Sequence, residues 1–376
     1  MKKLLIAGML LAAQGVANAA EPVMTVTLLG TGVPLLNADA FARSGRAMSG
    51  LMVQAGTERM LFDCGGGVYT RLTQLTKRIS PLTVYNVGVD KVFLSHLHTD
   101  HIADLAPLYA LGALYRHTEP FNPATDIGYK PVTTPLRVWG PGAGPNQPVG
   151  TWAMMQNFRM AYDSDFYVRQ LFTGAGSVVF NNDAVETLDS TVEIPPQGGV
   201  LYDQNGVKVT AFLVNHEPVS PSYGFRVDYK GKSFVYSGDT APDGNVVKYS
   251  KGVDVLVHEV YGYKREDGAE IYDYHTSPED AATQVFGKAK PKQVVYSHIV
   301  MDPFTPGSDS PEGLINRTRK AGYKGKLAAG QDLMAISIND DNTITIDAPE
   351  AQSKANRRKA TSPFIEVAQA KGMIAP

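Results

Sequence analysis

The sequence predicts an α/β protein in which two β-sheets are sandwiched between helices. Two observations carry this expectation. Short runs rich in β-branched and aromatic residues come first as meanders and then alternate with longer helix-patterned stretches, and that rhythm occurs twice along the 376 residues. Hydrophobic residues make up 43% of the chain, enough for a substantial core. By length that core could be one large unit or two domains.

Taken in order, residues 23–29 read as a strand ending in the turn Gly30-Thr31-Gly32. Residues 51–55 and 59–62 read as a hairpin pair, and Gly65-Gly66-Gly67 then opens a helix through about Leu75. A short strand follows at 91–94, a helix at 102–115, a strand at 136–139, and a helical stretch rich in methionine and aromatics at 151–171. The second half continues with strands at 207–214, 223–229, 233–237, 253–257, 293–297, 326–328 and 334–338, and helices at 278–286 and 311–321. Residues 118–135 and 181–206 are rich in turn formers and poor in apolar pairs, and read as insertions.

The first residues bear on compartment. Lys2 and Lys3, the apolar run 4–13 and Ala17-Asn18-Ala19 form the three parts of a secretory signal peptide, with cleavage expected after Ala19. The run falls short of the roughly 20 apolar residues that span a bilayer. The expected organisation is a signal peptide at 1–19, one domain at 20–347 and a polar tail at 348–376, in a periplasmic or secreted protein. The tail carries a basic patch at Arg357, Arg358 and Lys359. Elsewhere the signs of charge are mixed and the net charge is −2, which lacks the electrostatic footprint of a nucleic-acid binder. No nucleic-acid or membrane partner is therefore expected. The lone cysteine, Cys64, excludes an intrachain disulfide and reads as a small buried residue.

The densest chemistry lies in Ser95-His96-Leu97-His98-Thr99-Asp100-His101. Three imidazoles and a carboxylate directly after a short apolar strand form a ligand set that suits zinc and similar divalent ions. His96 and His98 are two apart, so an extended backbone points both to one side. Asp100 and His101 follow where the chain turns into a helix, within reach of a second ion.

This segment matches the HxHxDH signature of the metallo-β-lactamase superfamily, whose fold is an αββα four-layer sandwich with metals at the edge between the sheets. Further ligands of that family fall at strand ends, and His216, Asp239 and His298 stand in the right order after expected strands. The resemblance implies that His96, His98 and His216 hold one metal and Asp100, His101 and His298 the other, with Asp239 bridging. The cofactors implied are two divalent ions, zinc first, with manganese or iron(II) as alternatives. An anionic bridge offsets the repulsion between two close cations, and such a pair lowers the pKa of a clamped water.

Two more motifs resemble the ribonuclease Z branch, which includes arylsulfatase and phosphodiesterase relatives: His258-Glu259, and Tyr274-His275-Thr276-Ser277. In that branch the histidine matching His275 protonates the leaving oxygen and the carboxylate matching Glu259 supports it. Leu29-Gly30-Thr31-Gly32 and Leu61-Phe62-Asp63-Cys64-Gly65 resemble its opening strands. Asp100, His275 and Glu259 are the catalytic candidates. The structural alternatives are a helix-capping His275 and a Glu259 paired with a lysine such as Lys264.

One departure matters. Asp239 follows His216 by only 23 positions, an interval in which short bacterial ribonuclease Z enzymes insert a tRNA-gripping arm. The expectation is therefore an exported di-metal hydrolase of a small phosphodiester or sulfate ester, acting through a metal-bound hydroxide. A lactonase or other carboxylic ester hydrolase is the alternative, and a tRNA 3′-processing endonuclease or an inactive metal-binding protein ranks below it. The branch often dimerises, which leaves a homodimer open. Aromatics near the site (Trp152, Phe158, Tyr162, Tyr261, Tyr263, Tyr272 and Tyr274) are read mainly as packing, with one or two free to line a leaving-group pocket.

Overall fold

The structure, a computed structural model, describes residues 21–33, 45–75, 89–115, 136–173, 190–263, 274–301 and 307–349. The expected signal peptide, the insertion at 118–135 and the tail from 350 fall outside the described residues, as do Lys264 and Tyr272.

The chain builds one sheet, then the other, then returns. Strands β1 (Met24–Gly30), β2 (Gly50–Ala55), β3 (Glu58–Phe62), β4 (Lys91–Phe93), β5 (Arg137–Pro141) and β6 (Thr191–Ile194) form most of the first sheet. Strands β7 (Gly199–Gln204), β8 (Val207–Leu213), β9 (Tyr223–Tyr229), β10 (Lys232–Tyr236), β11 (Val255–Tyr261), β12 (Gln293–Val300) and β13 (Leu327–Ala329) form the second. Strands β14 (Ala335–Ile338) and β15 (Ile344–Asp347) then complete the first sheet, in the order β15-β14-β1-β2-β3-β4-β5-β6. The second sheet runs β13-β12-β11-β10-β9-β8-β7.

Each sheet is antiparallel on one side and parallel on the other, with parallel pairing from β3 to β6 and from β10 to β13. Parallel neighbours need crossover connections, and those crossovers carry the helices. The carboxyl ends of such strands are where open α/β sheets place their sites.

Three apolar clusters give the four layers. Between the sheets, the rings of Phe62, Phe93 and Trp139 stack across β3, β4 and β5 at 5.1 and 4.6 Å, and Phe225 of β9 meets Phe62 at 5.4 Å. Outside the first sheet lie Leu72, Leu108 and Met155, from the helices Val68–Leu75, Leu105–Tyr115 and Thr151–Ala161. Outside the second lie Val246, Val285, Phe286 and Leu314. Fully burying each such side chain contributes about 1.5–3 kcal/mol. This is the αββα sandwich expected from the sequence.

Several boundaries differ from expectation. The helical stretch 151–171 is two helices, Thr151–Ala161 and Asp163–Thr173, broken at Tyr162. The described part of the segment 181–206, from residue 190 on, carries the edge strands β6 and β7 rather than an irregular insertion. Edge strands are half solvated, so their apolar signal is weak. Strand β11 runs on to Tyr261, so His258 and Glu259 lie inside a strand instead of after one, and His298 likewise lies inside β12. No helix among the described residues is long and apolar enough to cross a membrane.

Candidate metal centre

The histidine-rich segment leaves the end of β4 in extended conformation, with His98 at φ −65° and ψ 149°, and closes into the single helical turn Thr99–Ile102. The rings of His96 and His98 lie 4.7 Å apart on one side, as their spacing predicts. The glycine run after β3 holds this turn from below. Cys64 N–H donates to the His101 carbonyl at 2.7 Å, and Asp104 N–H to the Cys64 carbonyl at 2.9 Å. A Cβ on Gly65 would stand 1.9 Å from the Asp100 carbonyl oxygen, so only glycine permits this approach. Cys64 is fully buried and burial pushes its thiol well up, as suits a core residue.

The second sheet supplies the other three. His216 follows β8, with Nδ1 donating to the Tyr274 carbonyl at 2.9 Å. Asp239 follows β10 after Gly238, whose φ of +59° and position 2.7 Å from the Tyr223 carbonyl (measured from a Cβ placed on it) again require glycine. His298 is reached by a β-bulge. Glu259 pairs with Ser297 and Val260 with Ile299, so His298, at φ +45°, has no opposite number on β11. A bulge re-aims one side chain without ending the ladder, and here it turns His298 towards the carboxylates.

All seven candidate ligands converge. Ligand atoms of His96, His98 and His216 lie within 4.8 Å of one another, and so do those of Asp100, His101, Asp239 and His298. Asp239 Oδ2 stands between the groups, 3.1 Å from His298 Nε2, 3.3 Å from His101 Nε2, 3.9 Å from His96 Nε2 and 4.0 Å from His216 Nε2. Six of the seven are buried and His98 alone is exposed.

The electrostatics divide the same way. Burial lowers the pKa of His96, His98 and His216, keeping these imidazoles neutral donors. Burial opposes ionisation of Asp100 and Asp239 too, but His101 and His298 outweigh it and hold both carboxyls well below the usual range. His101 is pushed well up, because Asp239, Asp100 and Asp63 outweigh its burial.

Hydrogen bonding leaves much of this cluster unexplained. His96 Nε2, His101 Nε2, His216 Nε2, His298 Nδ1 and Asp239 Oδ1 are buried without a hydrogen-bond partner. Orphaned polar atoms are costly, and three of them, the Nε2 atoms of His96, His101 and His216, lie within 4.0 Å of Asp239 Oδ2; borderline nitrogen donors around a hard oxygen donor fit divalent cations.

A residue that sequence reasoning did not single out fixes the arrangement. Asp63, fully buried at φ +58°, accepts from His101 Nδ1 at 2.7 Å, Ser95 N–H at 2.7 Å, Ser95 Oγ at 2.8 Å and Tyr236 Oη at 2.8 Å. It orients the His101 ring as second-layer carboxylates orient metal-binding histidines. Its only sequence signal is an acidic residue closing an apolar strand ahead of a glycine run.

The catalytic candidates also meet. His275 Nδ1 donates to both Glu259 oxygens at 2.9 and 3.0 Å, and Glu259 accepts a further bond from Thr240 N–H beside Asp239. A ring nitrogen of His275 lies within 4.8 Å of ligand atoms of His216 and Asp239. The capping role belongs to Ser277, whose hydroxyl accepts from Asp280 N–H, while Thr276 Oγ1 donates to the Thr240 carbonyl. Burial pulls the His275 pKa down, but the Glu259 carboxylate more than offsets this and pushes it up to about 9. His258 points the other way, its ring edge against Phe286 at 5.5 Å in the outer core. Of the aromatics, Tyr261 stacks on His275 at 5.4 Å and Tyr274 flanks His216 and His275 at 5.5 and 5.0 Å. Phe158 and Tyr162 pack in the helix layer, and Trp152 is exposed.

Known proteins agree with this picture. A family described as Metallo-beta-lactamase superfamily matches residues 46–114, and one described as Beta-lactamase superfamily domain matches residues 155–299. Ribonuclease Z of Mycobacterium bovis is 27% identical over 323 residues, covering 84% of this chain and 99% of that protein. Among solved structures, the metallo-beta-lactamase fold protein YhfI of Bacillus subtilis aligns with a TM-score of 0.53 at 19% identity, over 84% of this chain and 99% of its own. The short form of human tRNase Z aligns with a TM-score of 0.50 at 21% identity, over the same shares of the two chains. At such identities the structures speak for the fold alone, while the name of the bacterial relatives weighs against excluding nucleic acid as a partner. The chain has the metallo-β-lactamase fold, and its sequence is similar to the ribonuclease Z-like branch of that superfamily.

Proposed function

We propose that the chain is an exported hydrolase of phosphodiester bonds that works with two divalent ions, zinc foremost, at this centre. His96, His98 and His216 would hold one ion and Asp100, His101 and His298 the other, with Asp239 placed to serve both. Bound divalent ions supply Lewis-acid chemistry, making water more acidic and polarising the ester's non-bridging oxygens.

The observation that carries the reading is the His275–Glu259 pair set against the ligand cluster. A raised imidazole pKa keeps a proton ready for a departing alkoxide or aryloxide. Hydrolysis of a lactone does not need such an acid. In the reaction, water oxygen bonds to phosphorus and the phosphorus–oxygen ester bond breaks. His275 gives its proton to the leaving oxygen, Asp100 orients the attacking water, and the proton that water loses passes to solvent. Solvent reprotonates His275, leaving a monoester and an alcohol.

RNA cleavage is the rival that the relatives' name supports. Against it, the interval from His216 to Asp239 is filled by β9 and β10 joined at Lys230-Gly231, which leaves no room for an arm. The test is a panel of aryl and alkyl phosphodiesters, aryl sulfates, lactones and a precursor tRNA. The expected result is turnover of phosphodiesters. His275→Ala should lower the rate by about 10²–10⁴-fold on an alkyl leaving group and far less on nitrophenolate, which departs without a proton. An unchanged rate on the alkyl ester removes His275 as the acid. Export is tested by N-terminal sequencing of the mature protein, expected to begin at Ala20.

A further inference from the structure

Beside the exposed ligand His98 lies a cavity of about 360 Å³. Leu97 and Ile102 come from the histidine-rich turn, Val149 and Met154 from the segment after β5, and Val219 from the loop after His216. Three of these walls are tied to candidate ligands. Leu97 sits between His96 and His98, Ile102 follows His101, and Val219 N–H donates to the His216 carbonyl at 2.9 Å. Each of the two amides on the rim spends one N–H within the protein. Asn146 Nδ2 donates to the Pro218 carbonyl at 3.1 Å and Gln147 Nε2 to the Gly142 carbonyl at 2.9 Å. These bonds hold the 142–149 segment on itself and against the 216–221 loop.

His216 links the cavity's His98 to the acid, its ring 5.3 Å from that of His98 and 5.1 Å from that of His275. An ester spanning the centre with its leaving oxygen at His275 therefore turns its other arm towards His98.

We infer that this cavity is a subsite for the arm of the diester that stays on phosphorus, and that it selects an apolar arm, a phenyl ring or short branched alkyl group. The inference rests on the phosphodiesterase reading above. At the lower end of the roughly 300–1,000 Å³ of small-molecule sites, the cavity holds one ring. Aliphatic walls reward apolar surface, and the edge of a nucleobase laid against them would go largely unpaired.

The test separates binding from turnover, using the full mature chain loaded with zinc. Calorimetry compares phenylphosphonate with methylphosphonate, neither of which can be hydrolysed. Phenylphosphonate should bind about tenfold tighter or more, from the apolar area of the ring. Val149 is 45% exposed, so substitution there spares the fold. Val149→Asn, which makes the wall polar, and Val149→Trp, which fills the space, should each collapse the phenyl-to-methyl ratio towards one. In parallel, kcat/KM for phenyl 4-nitrophenyl phosphate should exceed that for methyl 4-nitrophenyl phosphate by a similar factor. Thymidine 5′-(4-nitrophenyl phosphate) should be cleaved less well than the phenyl ester.

Equal binding of the two phosphonates, or a ratio that neither variant moves, overturns the subsite. Cleavage of diesters without phenyl preference, or a preference for the nucleotide, overturns it while sparing the phosphodiesterase reading. Phenyl-selective binding that Val149→Asn abolishes, with no diester cleaved, upholds the subsite and sinks that reading.

Discussion

The two halves of the centre use different chemistry within a few ångströms. His96, His98 and His216 are three imidazoles kept neutral by burial, with one ring open to solvent. Asp100, His101, Asp239 and His298 are all buried and include two carboxylates held ionised by their neighbours. A cation in the second group is offset by full negative charge, and one in the first depends on dative bonds and the shared Asp239 carboxylate. One residue, Asp239, stands between two otherwise unlike groups, and the imidazole group is expected to be the easier to empty of an ion.

The sharpest way to break this comparison is Asp239→Ala. Both sites should weaken together by more than the 10–100-fold that an outer-layer partner is worth. Zinc measured by mass spectrometry after dialysis should fall from two per chain to near zero. Retention of one tightly held ion would show the sites to be independent.

A smaller effect is expected at Asp63, which bonds His101 of the carboxylate-rich half directly and reaches His96 of the other half through Ser95 Oγ. Asp63→Asn should lower zinc affinity about 10–100-fold for one ion of the two, read by chelator competition. Equal weakening of both ions would mean that Asp63 supports the loop as a whole.

The smallest effect concerns pH. His275 acts while protonated, and Glu259 raises its pKa, so the rate on a poor leaving group falls as pH climbs through that pKa. The break lies at or below about 9, since cations close by pull it down. Glu259→Gln removes the raising influence and leaves burial, so the break should move to lower pH. A pH–rate profile unmoved by that change would dismiss the pairing as merely structural.

The convergence of the seven was legible because few structural reasons place His and Asp at the ends of β-runs, and the HxHxDH spacing needs only local geometry. What stayed hidden depended on tertiary context. Glu259 and His298 looked like strand ends because polar residues interrupt apolar runs there. In the fold Glu259 is satisfied inside β11 by His275 and Thr240, and His298 stands in a bulge that no residue pattern announces. Asp63 finds its partners at Ser95, His101 and Tyr236, up to 173 positions away, with a left-handed backbone that its residue type only weakly hints at. The aliphatic cavity was equally out of reach, since its walls come from three separated segments, and of the aromatics read mainly as packing, Tyr261 stacks on His275 and Tyr274 stands edge-to-face with His216.

The turn at His96–His101 hangs from one sheet, whereas His216, Asp239 and His298 hang from the other. A cation caught among them is thus also a rivet through the seam of the sandwich. Each ion held at a free concentration a hundredfold above its dissociation constant adds about 2.7 kcal/mol against unfolding. Heat resistance in this protein becomes a gauge of mineral supply, and starvation for the ion would loosen the joint before it stilled the chemistry of any substrate.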